Sequence, residues 1–80
     1  MNELELSSDL AKEVLTYIAF FDEELLEKIP DNFLKQLNII AADSEKEIFI
    51  DPTKSLENQD MTEKCKEILG LIYYSYVNKE

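Results

Sequence analysis

The chain has 80 residues and a formal net charge of −10, with eighteen acids against eight bases, all of them lysine, and no arginine, histidine or tryptophan. At this length it is read as one small domain, residues 1–80, burying only about 60% of the surface its unfolded form exposes. Its 45% apolar content suffices for a core and argues against disorder, while its acidity repels phosphate backbones and anionic headgroups, which argues against direct nucleic-acid binding and membrane-surface binding.

Glu3-Leu4-Glu5-Leu6 alternates polar and apolar residues, a strand-like period over a very short stretch. Ser7, Ser8 and Asp9 then offer helix N-caps. From Leu10 the period becomes helical: Leu10, Val14, Ile18 and Phe21 share a face, Ala11 and Leu15 lie beside it, and Phe20 lies well off it. Asp22 is a break or a fresh N-cap, and Glu23 and Glu24 suit the positive end of a new helix. Leu25, Leu26 and Ile29 make a short second helix or a bent extension of the first, which Pro30 ends by pushing Ile29 out of the helical region.

Pro30 also suits the first position of a third helix, carried by Phe33, Leu34, Leu37, Ile40 and Ala41 to about Ala42. Asp43 to Lys46 is a polar turn. Glu47-Ile48-Phe49-Ile50 reads as a short strand rich in β-branched and aromatic residues. A lone strand leaves its backbone unpaired, so the candidate partners are Glu3–Leu6, a second copy of the chain, or solvent around a merely extended segment. Asp51-Pro52-Thr53-Lys54 is a turn in which the aspartate side chain bonds forward to the backbone. Residues 55–61 are a polar linker anchored by Leu56 and Met61.

Thr62 to Asn78 is the longest periodic segment. Rotation by about 100° per residue gathers Cys65, Leu69, Ile72 and Tyr76 on one face, with Ile68 and Tyr73 flanking. Leu71 and Tyr74 point the other way. Thr62 is the expected N-cap, with Asp60 and Glu63 a rival capping pair. Gly70 weakens the helix interior or marks a close approach to a neighbouring helix. The expected fold is therefore mainly α: a small three- or four-helix domain with a short strand or two-stranded ribbon around residues 47–50.

From residue 28 onward a second pattern is present. Lys28-Ile29-Pro30, Ile50-Asp51-Pro52, Lys54, Leu56, Gln59, Ile68-Leu69 and Ile72-Tyr73 resemble, in identity and spacing, a family of short, acidic, uncharacterised proteins of low-GC Gram-positive bacteria. That family usually has a second proline after the lysine, where this chain has Ser55. The resemblance covers about the C-terminal two-thirds and implies a bacterial, cytoplasmic protein. It implies no activity.

The residue inventory argues against an enzyme. Without histidine the commonest general base, metal ligand and triad member is missing. Gly70 is the sole glycine, so phosphate-cradling loops and dinucleotide fingerprints are excluded, and the acids near Asp43 lack the glycine and terminal glutamate of a calcium loop. Cys65 on the core face is a structural thiol rather than a nucleophile. One cysteine permits no intramolecular disulfide and fits a reducing compartment. The acidic MNELELSSD stretch is unlike a signal peptide, and a cytoplasmic location is expected. No metal or cofactor is expected.

Two surfaces are candidates for function. Asp22, Glu23, Glu24, Glu27 and Asp31 form the densest acidic cluster, either a docking face for a basic partner or a solvated helix start carrying the charges its dipole prefers. Leu71 and Tyr74, with Val77 and Phe20, form an apolar patch that is covered by a partner, unless the last helix is central in its domain. The chain thus reads as a small acidic non-catalytic protein-binding module, a regulator or adaptor, whose partner is another protein or a second copy. The alternative is an acidic nucleic-acid mimic, an antitoxin-like inhibitor of a nucleic-acid-binding protein, which requires carboxylates in rows at phosphate-like spacing.

Overall fold

The computed structural model describes residues 6–77, and side chains over residues 6–75. Helix α1 spans Ser8–Phe21, α2 Glu23–Lys28, α3 Asp31–Ala41 and α4 Glu63–Val77; a single 3-10 turn, Leu56–Asn58, interrupts the connection before α4. None of the described helices is long and apolar enough to cross a membrane.

Local chemistry sets each helix boundary. The Ser7 hydroxyl accepts from the Leu10 amide at 3.1 Å and starts α1. Asp22 then acts twice: its own amide donates to the Ile18 carbonyl at 2.8 Å, closing α1, and its carboxylate accepts from the Leu25 amide at 2.9 Å, opening α2. The second helix is therefore a separate element rather than a bend. Ile29 is extended at ψ 137°, as a residue before proline prefers. Pro30 stands at the N-cap of α3, one place earlier than the first helical position expected from sequence.

The core joins Ala11, Val14, Tyr17 and Ile18 of α1 to Leu25, Ile29, Leu37 and, from α4, Cys65, Leu69 and Ile72. Helix α1 is the central element, packing against α2, α3 and α4, while α4 packs on α1 and α2. The last helix, though the longest at 15 residues, is thus a peripheral layer. Contacts fix the directions. The Ser44 hydroxyl, just past α3, donates to the Asp9 carboxylate at the start of α1 at 2.8 Å, so α3 returns antiparallel to α1. Thr62, at the start of α4, meets Glu13 in the first half of α1, and α4 also packs on α2, which follows the end of α1, so α4 runs parallel to α1.

The expected strand or ribbon at 47–50 is absent among the described residues. Ile48 and Ile50 are half-buried against the core, and Glu47 and Phe49 are exposed. Side chains facing alternately in and out do not make a strand, which also needs a hydrogen-bonded neighbour, and among the described residues none bonds to this backbone. Of the suggested partner Glu3–Leu6, residues 3–5 fall outside the described residues; Leu6 is half-buried against the core.

Candidate interaction surface

Two polar clusters fasten the long connection between α3 and α4. In the first, Glu13 is only 3% exposed although charged. Its carboxylate accepts from the Lys46 ammonium and, at 3.0 Å, from the Thr62 hydroxyl. The Thr62 oxygen in turn accepts from the Cys65 amide at 3.2 Å, so one hydroxyl both caps α4 and ties it to α1. This assigns the N-cap to Thr62 rather than Asp60. The Lys12 ammonium donates to the Lys46 carbonyl, adding a second link between α1 and the connection. Burial pushes the Glu13 carboxyl upward, but the Lys46 and Thr62 donors outweigh it and hold it below the ordinary glutamate value. Sequence reading missed Glu13: on the helical wheel it borders the apolar stripe, and nothing local distinguishes it from a solvated acid.

In the second cluster the amide of Gln59, itself 5% exposed, closes the turn at residues 51–54. Its nitrogen donates to the carbonyls of Asp51 at 2.9 Å and Lys54 at 3.2 Å, and its oxygen accepts from the Asp51 amide at 3.2 Å. The Asp51 carboxylate accepts from the amide and hydroxyl of Thr53, at 3.0 and 2.7 Å, which is the forward bond expected of that turn. Asp51, Lys54, Leu56 and Gln59 therefore belong to one self-bonded loop.

On α4, Cys65 is fully buried, Leu69 and Ile72 nearly so, and Ile68 and Tyr73 are half-buried at the edges. Tyr76 falls outside the described side chains. Burial, with the Glu13 carboxylate nearby, pushes the Cys65 thiol up to about 12, so it stays protonated at neutral pH. An added Cβ at Gly70 meets nothing within 4 Å, which overturns the expectation of close helix approach there. Gly70 instead lines a shallow groove of about 250 Å³ with Leu56, Met61, Leu69 and Tyr73.

Leu71 and Tyr74 are 68% and 71% exposed, on the side of α4 away from the core. Phe20 is 51% exposed, with its ring edge-on to Phe21 at 4.8 Å. The parallel course of α1 and α4 brings Phe20, near the end of α1, to the same end of the molecule as Tyr74, near the end of α4. The Val77 side chain lies outside the described residues. Two further large apolar side chains, Ile39 and Phe49, are exposed and were not singled out from sequence; each sits one place off an inward-facing residue, and only the final packing separates the two faces.

The acidic cluster divides. The half-buried Asp22 is committed to capping α2, while Glu23, Glu24, Glu27 and Asp31 are exposed along α2 and the start of α3. Glu23, Glu24 and Asp31 sit in first helical turns, where the helix dipole favours them. Comparison of the chain with protein-family models, with curated proteins and with solved structures gives no match.

Proposed function

We propose that the protein is a small, acidic, non-catalytic protein-binding module, a regulator or adaptor of the bacterial cytoplasm, that uses the outer face of α4 to hold another protein or a second copy of itself. The observation that carries this reading is the exposure of Leu71 and Tyr74 on a helix whose opposite face is already core. A leucine and a tyrosine one turn apart present apolar area with a hydroxyl that can stay wet, the composition favoured at interfaces. Phe20, half-exposed on α1, and Val77 are assigned to this surface by sequence. A protonated, fully buried Cys65 supports a non-catalytic role, and a single free thiol suits a reducing compartment. The resemblance to short acidic bacterial proteins supports the setting.

The test is the double substitution Leu71→Asp with Tyr74→Ser. Because both side chains are exposed, the variant is expected to keep the helical circular dichroism and unfolding midpoint of the parent. It is expected to lose a partner that the parent captures from a bacterial lysate through salt-resistant contacts, or to lose self-association in sedimentation equilibrium. Failure of the variant to fold would overturn the interface reading. Elution of the partner by moderate salt, abolished by reversing Glu23, Glu24 and Glu27, would replace it with docking on the acidic face.

A further inference from the structure

Residues 47–50 carry no regular secondary structure and are anchored at both ends. Before them, the Lys46 ammonium is bound to Glu13, its amide donates to the Ser44 hydroxyl at 3.1 Å, and its carbonyl accepts from Lys12. After them, the Asp51 amide donates to Gln59. Between these anchors Ile48 and Ile50 are half-buried against the core and Glu47 and Phe49 are exposed, Phe49 being the most exposed large apolar side chain among the described residues at 81%. Among the described residues, nothing bonds to the backbone N–H or C=O groups of these four residues. A tethered stretch with side chains facing alternately in and out and with open backbone groups is a template for pairing with a strand.

A cleft of about 450 Å³ adjoins this stretch. Buried Glu13 and Tyr17 line it, with Glu47, Phe49, Asp60 and Met61 among its other lining residues. Its single cation, Lys46, is already matched by Glu13. Among the described residues, Glu47 and Asp60 have no ion-pair partner. The cleft thus combines unmatched negative charge with an exposed aromatic ring and a thioether wall, a lining that suits a long aliphatic stem ending in a cation.

We propose that Glu47–Ile50 is the docking edge for an extended basic segment of a partner protein, which adds as a strand and seats a lysine or arginine side chain in this cleft. Charge decides among the possible occupants. Residues 2–5 of the chain itself carry Glu3 and Glu5, and a second copy brings the same Glu47 strip on a body of net charge −10. Both are repelled by a cleft with unmatched carboxylates, whereas a basic segment is drawn to it. The surface shares no residue with the Leu71–Tyr74 face, so it is a second contact on the same module.

The test uses the full isotope-labelled chain and a capped hexapeptide of alternating arginine and valine flanked by threonine. Three peptides are titrated in nuclear magnetic resonance: the basic one, its glutamate counterpart, and the basic one with alternate backbone nitrogens methylated. Saturable shifts confined to residues 47–50 and 60–62 are expected with the basic peptide alone, together with slowed amide exchange within 47–50. The double variant Glu47→Lys with Asp60→Lys should weaken binding by about tenfold or more, and Phe49→Ala should weaken it too. The variant Leu71→Asp with Tyr74→Ser should bind the peptide as the parent does, which separates this edge from the α4 face. Unsaturable shifts spread over the acidic surface, or equal binding of the methylated peptide, would overturn the proposal. So would amides at 48–50 that are already protected in the free protein, because the edge would then be filled by the chain's own residues 1–5 or by a second copy.

Discussion

Glu13 is the residue on which three parts of the chain converge. It lies on α1, its ion-pair partner Lys46 on the connection, and its hydroxyl donor Thr62 at the start of α4. Removing the cation alone leaves a buried carboxylate short of a partner, so Lys46→Met is expected to cost about 2–3 kcal/mol in urea unfolding, toward the lower end because the lysine side chain is 35% exposed and water replaces part of the bond. Glu13→Gln keeps an acceptor for Thr62 and should cost less. The pH dependence has a definite sign. The folded carboxyl titrates below its unfolded value, so its contribution is complete above the unfolded value of about 4.3 and is lost as pH falls through the folded one. The acid limb of stability against pH should therefore be shallower in Glu13→Gln than in the parent, and identical limbs would remove Glu13 from the account. Cys65 behaves in the opposite sense: its thiol is neutral when folded and its stabilisation is lost as pH rises toward about 12. At neutral pH its labelling by a thiol reagent should proceed at the rate of unfolding, and fast labelling of the native protein would contradict its burial.

At the scale of elements, the helices were legible because each carries its own stop and start. Asp22, Pro30 and Thr62 are boundary signals that act through bonds to adjacent amides or through a fixed backbone angle, and such effects are written locally. The apolar stripe of α4 was legible for the same reason. Its position in the fold was not, because which helix becomes central depends on how α2 and α3 fold back on α1, a relation carried by no single segment. The same limit explains residues 47–50: β-branched and aromatic composition suggests a strand there, while pairing depends on chain brought from elsewhere. Gln59 and Glu13 show it most plainly, since a buried polar group is recognised by its partners rather than by its neighbours in sequence. Gly70 offers a clean test at this scale. It sits inside α4 with open space where a Cβ would go and without a positive φ. Gly70→Ala should stabilise the protein by about 0.5–1 kcal/mol through helix propensity and a less flexible unfolded chain, raising the thermal midpoint. A loss of stability would mean that the groove beside it is filled.

For the whole molecule, the separation of surfaces matters more than any single site. The outer side of α4, the exposed acids of α2, and the edge at 47–50 with its cleft draw on different residues, so substitutions in one are expected to leave the others intact. That Leu71 and Tyr74 turn away from the Cys65 face could be read from sequence, because helical rotation alone fixes it; their exposure could not, because it depends on whether α4 is central or peripheral. The edge and cleft could not, because they form where the connection crosses α1 and the start of α4.

The up-down-up course of α1, α3 and α4 also has a temporal consequence. Helices α1 and α3 are joined through the short α2 and can meet after closing a small loop, whereas the Glu13–Thr62 bond spans 49 positions and waits for residues 42–62 to be drawn in. The helical hairpin of α1 to α3 should therefore form the folding nucleus, with α4 docking late. Leu37→Ala is expected to slow refolding, with a φ-value of about 0.5–0.8, and Leu69→Ala chiefly to speed unfolding, with a φ-value of about 0–0.3. Before α4 docks, the α1 surface that will hold Cys65, Leu69 and Ile72 is bare. During that interval the molecule's stickiest region is a seam that the finished protein no longer shows.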